Sequence, residues 1–169
     1  MLAVAAAGEH ATLVLFDAGS GKLLKRLQGH DPNSDDSGRI RALAMDPKGR
    51  WLFSAGTDRR IVRWSLPDGE KLGEWPTPAS VNALAVSPDG TQLASGDADG
   101  SIRLLSIPAG EIVRTFKRHD DGITDSTRSL SFSPDGTLLA SGSFDRTARL
   151  WDVASGEPRH VLTNHTDQV

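Results

Sequence analysis

Ser133-Pro134-Asp135-Gly136-Thr137-Leu138-Leu139-Ala140-Ser141-Gly142-Ser143-Phe144-Asp145-Arg146-Thr147-Ala148-Arg149-Leu150-Trp151-Asp152 is the stretch on which the reading of the fold turns. Proline presets φ near about −65° while Asp and Gly accept the remaining turn conformations, so its first four residues reverse the chain between two strands. Leu138–Ser143 and Thr147–Asp152 then read as two short strands. Upstream, Arg128–Ser133 with apolar Leu130 and Phe132 supplies a strand before the turn, and His160–Thr163 supplies one after Gly156. Four short strands separated by turn signals are an all-β unit.

The unit recurs. Asp46-Pro47-Lys48-Gly49 and Ser87-Pro88-Asp89-Gly90 repeat the turn phrase, and the turn glycines step by 41 and then 46 residues. Both steps fall in or near the roughly 40–50 residues of propeller-type repeats. Counted from those glycines, position +5 is Ser54, Ser95 and Ser141, position +9 is Asp58, Asp99 and Asp145, position +15 is Trp64, Leu105 and Trp151, and position +20 is Gly69, Gly110 and Gly156. Every difference in length falls after the second glycine, where insertions are tolerated. A partial copy precedes, with His10 in the Asp slot and Phe16 in the Trp slot, and Asn164–Val169 opens another. The units run approximately 1–29 (partial), 30–76, 77–118 and 119–164, with 165–169 starting the next. A four-stranded sheet that is apolar on both faces needs a neighbour on each, so the copies are expected to stack face to face.

Composition narrows the functional classes. With 169 residues, 37% apolar and 24% charged, the chain has the make-up of an ordinary soluble protein. Its net charge of −3 lacks the basic excess that grips nucleic acid. There is no Cys, which removes disulfides, thiolate metal sites and a Cys nucleophile. Met1–Ala7 has no basic region and too short an apolar run for a leader or membrane anchor. The residues leave the compartment unknown, with the cytoplasm favoured. No cofactor is expected.

The chain resembles the WD-repeat family of β-propellers, through Gly29-His30 opening a unit, the Ser-Pro-Asp-Gly turns, and the Ser141–Asp152 run closing one. The resemblance implies blades of four antiparallel strands, and within each blade a buried hydrogen-bond chain of His, Ser, Asp and Trp. That chain maps onto His30, Ser54, Asp58 and Trp64, and onto His119, Ser141, Asp145 and Trp151. Indole only donates, hydroxyl does both, neutral imidazole has one of each and carboxylate only accepts, so the four can satisfy one another in line. The middle unit departs, with Thr77 in the His slot and Leu105 in the Trp slot, and no such network is expected there. About four units of some 42 residues are fewer than the seven or so with which members usually close. The expectation is therefore an incomplete or assembling propeller: an excerpt completed by further blades of a longer chain, or a half that pairs as a homodimer.

His119, Ser141 and Asp145 also have the residue types of a hydrolase triad. The set recurs in a second unit together with a Trp, and no Gly-x-Ser-x-Gly elbow occurs, so the structural reading is preferred. Gly19-Ser20-Gly21-Lys22 is a hairpin turn that returns as Pro67-Asp68-Gly69-Glu70, not a phosphate loop, and no enzyme is read from these residues.

Function is sought in the loops of variable length. Asp31, Asp35, Asp36, Asp120 and Asp121 make two of them acidic, and with the Asp58, Asp97 and Asp99 turns they are expected to form an acidic rim for a protein or peptide partner, a basic one being the preferred reading. Asp31, Asn33 and Asp35 have the first spacings of a calcium loop, but Asp36 replaces its glycine and Ala42 its bidentate Glu, so a solvated acidic loop is the preferred reading. Trp75 is read as outer-strand packing, with a partner anchor as the alternative. Arg63 occupies a slot that is Leu in the other copies, its stem covering apolar surface while its head reaches water or an Asp. The function expected is a non-enzymatic interaction scaffold. The alternative is a ligand-sensing or catalytic propeller segment with a site at the central channel, where Arg41, Asn82 and Arg128, each eight residues before its turn glycine, are the candidates.

Overall fold

A computed structural model describes residues 2–8, 11–34, 38–116, 126–167 and 169. Among them the regular structure is all strand, in four antiparallel sheets taken in chain order. The first sheet has three strands, β1 (Leu2–Gly8), β2 (Thr12–Asp17) and β3 (Leu23–Gln28). The second has β4 (Ile40–Met45), β5 (Trp51–Gly56), β6 (Arg60–Ser65) and β7 (Lys71–Pro76). The third has β8 (Val81–Val86), β9 (Gln92–Asp97), β10 (Ile102–Ser106) and β11 (Ile112–Phe116), and the fourth β12 (Thr127–Phe132), β13 (Leu138–Ser143), β14 (Ala148–Asp152) and β15 (Pro158–Leu162). Each sheet is a simple meander, with β4, β8 and β12 against one another along the inner edge.

The outermost strand of the fourth sheet begins at Pro158, two residues before the expected His160. Pro158 pairs with Trp151 at the start of an edge strand, where a missing N–H costs nothing.

Alternation along the strands makes the stack. In β5, Leu52 packs toward the first sheet while Phe53 and Ala55 pack toward the third; in β6, Val62 and Trp64 go one way and Ile61 the other. Three cores result, one at each junction. Leu13, Leu15 and Leu27 meet Ile40, Leu52, Val62 and Trp64. Phe53, Ala55 and Ile61 meet Val81, Leu84, Leu93 and Leu105. Ala94, Ile102, Leu104 and Phe116 meet Leu139 and Trp151, with the Phe116 and Trp151 rings edge to face at 5.7 Å.

The glycines at +20 let these junctions close. Gly110 has φ +79°, and a Cβ there would lie 2.3 Å from the Trp75 ring of the preceding blade. Trp75 is half-buried, 5.7 Å from Phe53 centroid to centroid, so its indole is taken up in packing between blades. Arg63 lies beside it, 5.5 Å over the Trp51 ring and 6.0 Å over Trp75, and its Nη1 donates to the Pro108 carbonyl at 3.1 Å. Its head thus reaches a neighbouring backbone carbonyl.

Candidate functional site: the loop face and the inner strands

In a meander, the turns after the first and third strands lie at one end of the sheet, and the turn after the second and the link to the next sheet lie at the other. In the three four-stranded sheets every turn at the first end has five residues: 46–50, 66–70, 87–91, 107–111, 133–137 and 153–157. At the second end the links differ, spanning 29–39, 77–80 and 117–126. Two groups of polar side chains lie toward this second end.

The first is buried in the second sheet. Trp64 Nε1 donates to Ser54 Oγ at 2.8 Å, Ser54 Oγ lies 2.7 Å from His30 Nε2, and His30 Nδ1 lies 2.8 Å from Asp58 Oδ2. The partners set the directions: Nδ1–H donates to the carboxylate, so Nε2 accepts the hydroxyl proton and Ser54 in turn accepts from the indole. Burial by itself pushes the Asp58 carboxyl up, but the hydrogen bonds from His30 and from the Asp31 backbone N–H more than reverse this and hold it below the usual carboxylate range. The serine, histidine and carboxylate stand at the distances of a hydrolase triad. Ser54 is 0% exposed and His30 6%, however, and the hydroxyl is occupied by Trp64, so a substrate carbonyl has no approach to it.

In the fourth sheet Trp151 Nε1 donates to Ser141 Oγ at 2.8 Å, while His119 lies outside the described residues. Asp145 accepts from the Thr147 N–H at 2.8 Å and hydroxyl at 2.7 Å, and from Arg149 Nη2 at 3.3 Å. In the third sheet the fully buried Ser95 hydroxyl has no hydrogen-bond partner among the described residues, and Thr77 Oγ1 donates instead to the Ala79 carbonyl at 2.9 Å.

Of the candidate rim residues, Asp31 is half-buried and its Oδ1 accepts the Asn33 N–H at 2.9 Å; Asp35, Asp36, Asp120 and Asp121 lie outside the described residues. The turn carboxylates that the sequence reading adds to the rim face inward or are paired. Asp58 holds His30, Asp97 is fully buried against Arg103, and Asp99 pairs with Arg103 Nη2 at 3.1 Å. A strand-end carboxylate is drawn in because an Arg or His on the neighbouring segment offers it more than water does. Among the described residues no three His, Asp or Glu side chains converge as a metal site would require.

The second group lies on the inner strands. Arg41, Asn82 and Arg128 are each the second residue of their strand, and each sits at a register shift: Ile40 pairs with Gly56 but Ala42 with Ala55, Val81 with Asp97 but Ala83 with Gly96, Thr127 with Ser143 but Ser129 with Gly142. Each is thus the extra residue of a β-bulge, a device that re-aims a side chain. Arg41 Nη1 donates to Asn82 Oδ1 at 2.9 Å, and Asn82 Nδ2 to Ser126 Oγ at 2.7 Å. Arg128 stands over the Phe144 ring at 3.8 Å. Its pKa is drawn below the usual guanidinium value by partial burial first and by the charge of Arg41 second. The repeat register singles out these three positions; the bulges that turn them are invisible to it.

A family model described as "WD domain, G-beta repeat" matches residues 21–65, 69–106 and 110–152, well over half of the chain. The chain is also similar, with 38% identity over 58 residues, to U3 small nucleolar RNA-associated protein 21 of Saccharomyces cerevisiae. It is 34% identical over 58 residues to WD repeat-containing protein 36 of Homo sapiens. Each match takes in 34% of this chain and 6% of the relative's length.

Proposed function

The chain belongs to the WD-repeat family, and from that premise we propose that it is a non-enzymatic scaffold that meets a protein partner with its loop face. The observation that carries this reading is the asymmetry of the two ends. Uniform five-residue turns at one end serve the fold, whereas links of 11, 4 and 10 residues at the other, spanning 29–39, 77–80 and 117–126, are free to vary. Burial of the Ser54–His30–Asp58 set supports a structural rather than a catalytic role for it.

Within this reading, the partner is a peptide or protein segment carrying basic residues, drawn to Asp31, Asp35, Asp36, Asp120 and Asp121 in the two longer links. Exposed charges are screened beyond about 10 Å at 0.1 M salt, so the association is expected to be salt-sensitive. A lysine-rich peptide titrated at low and at raised ionic strength checks this, against a variant with all five aspartates changed to Asn. The expected result is several-fold weaker binding both at high salt and in the variant. Binding that neither salt nor the substitutions weaken would refute the acidic-loop reading.

A further inference from the structure

We propose that the cleft between the third and fourth sheets, at the end that carries the five-residue turns, is a docking site for a tryptophan side chain of a protein partner. It lies at the opposite end from the variable links and is independent of the acidic-loop reading.

Two junctions built on one register differ at this place. Position +2 from the turn glycine is Trp51 in the second sheet and Gln92 in the third, and position +14 is Arg63 and Leu104. Where the second sheet meets the third, Trp51 packs on the shared core together with Ile107 of the following blade. Arg50 and Arg63 stand over its ring at 4.1 and 5.5 Å, and Arg63 reaches across to the Pro108 carbonyl. An indole and a guanidinium close the seam there. Where the third sheet meets the fourth, Val153 takes the place of Ile107 and packs on its core in the same way, but Gln92 and Leu104 bring neither ring nor cation. The result is a cleft of about 510 Å³ whose lining includes Gln92, Leu104, Val113, Arg114, Asp152 and Val153. That volume is in the range of sites that hold a ligand group.

The walls select the occupant. Leu104, Val113 and Val153 are apolar. Arg114 takes over the bridging role of Arg63: its Nη1 donates to the Ser155 carbonyl at 2.8 Å, and its stem lies so close over Gly156 that a Cβ there would be 2.9 Å from its Cδ. Its guanidinium is thereby held at the cleft, ready to stack on a ring as Arg63 does on Trp51. On the far wall Arg159 Nε donates to Asp152 Oδ2 at 3.1 Å, so these charges are already matched and a charged group gains little. A flat apolar ring gains both burial and a cation beneath it, and of the aromatic side chains tryptophan has the strongest cation–π interaction and an N–H for a carboxylate or amide to accept. The ring is assigned to a protein because apolar surface continues outside the cleft along the edge strand β11, where Ile112 and Val113 are each 50% exposed and can receive the segment that carries it.

The test titrates short Gly/Ser peptides with tryptophan, leucine or serine at the centre into isotope-labelled protein, read by backbone amide NMR. The amides of Val113, Arg114, Val153 and Ala154 are expected to shift saturably with the tryptophan peptide, roughly tenfold more weakly with leucine, and not with serine. Gln92→Trp supplies from within the chain the ring that Trp51 supplies one blade earlier, and is expected to abolish these shifts. Val113→Asp, at a position outside the core, is expected to weaken binding roughly tenfold at a nearly unchanged urea midpoint. Leu24→Asp, the same register position on β3, is expected to leave it unaltered. No saturable shift, a leucine peptide that binds as tightly, an equal loss in Leu24→Asp, or a folded Gln92→Trp chain that binds like wild type would overturn the proposal. The lysine-rich peptide is expected to bind Gln92→Trp and wild type alike, and its failure to bind counts against the acidic loops alone.

Discussion

At the residue scale, two serines at the same repeat position have opposite surroundings. Ser54 joins an indole to an imidazole, whereas the Ser95 hydroxyl is buried with no hydrogen-bond partner among the described residues. Leaving a buried donor or acceptor unpaired costs about 1–3 kcal/mol, so Ser54→Ala, which strands both Trp64 Nε1 and His30 Nε2, is expected to destabilise by at least that much. Ser95→Ala removes a group that is already unpaired and is expected to cost nothing or to stabilise. Urea unfolding of the two variants compares them, and equal losses would mean that the two hydroxyls are equally satisfied. The serine positions are legible from the repeat alone. That the middle hydroxyl is stranded follows from two substitutions 28 residues apart, at Thr77 and Leu105, that only the folded blade brings to one place.

At the scale of elements, the turns show how one geometry is reached by different chemistry. Asp89 Oδ1 accepts from Ser87 Oγ at 2.6 Å and the Thr91 N–H at 3.0 Å, and Asp135 repeats this with Ser133 and Thr137. In the first copy the carboxylate has moved to Asp46, where Arg50 Nε and Nη2 donate to its two oxygens at 2.8 and 3.1 Å. The glycines separate backbone strain from packing. Gly49 and Gly110 both have positive φ, at +67° and +79°, but a Cβ at Gly49 meets nothing within 4 Å while one at Gly110 meets the Trp75 ring. Both alanine variants carry the left-handed penalty of about 1–2 kcal/mol. Gly110→Ala is expected to lose about 1–3 kcal/mol more through overpacking. Trp75→Leu, which places at that slot the residue type of Leu27, should recover part of the difference, and strictly additive losses in the double variant would remove the clash as its cause.

At the scale of the whole molecule, carboxylates distributed over all four sheets act together on acid stability. Asp152 is held at about 2 by the Ser155 N–H first and Arg159 second, and Asp17, Asp46, Asp58, Asp89 and Asp135 are also held below their ordinary value of 3.8. A carboxyl with a folded pKa below its unfolded one contributes stability that is fully present above the unfolded value and is lost as pH falls through the folded one. This contribution is therefore expected to be constant above about pH 5 and to drain away between about pH 4 and pH 2. Urea midpoints measured down that range check it, with Asp58→Asn and Asp89→Asn together giving a shallower fall. A midpoint unmoved between pH 5 and pH 2.5 would mean that these carboxylates contribute nothing to folding.

The sequence by itself determined the repeat, its register, the four-stranded unit and the polar residues of the inner strands, because turn chemistry and period-2 alternation are local and are written at fixed spacing. Tertiary structure alone decided where the charges went. Whether an aspartate at a strand end faces solvent or turns inward depends on which cation the neighbouring segment offers, so Asp58 and Asp97 left the rim for His30 and Arg103, while Asp99 pairs with Arg103 from a half-exposed position. Trp75 met Gly110 because stacking brings the outer strand of one blade against the hairpin of the next. Arg41 and Asn82, 41 residues apart, came within hydrogen-bond reach through bulges that arise from strand pairing, and pairing is a property of two segments that neither sequence carries alone.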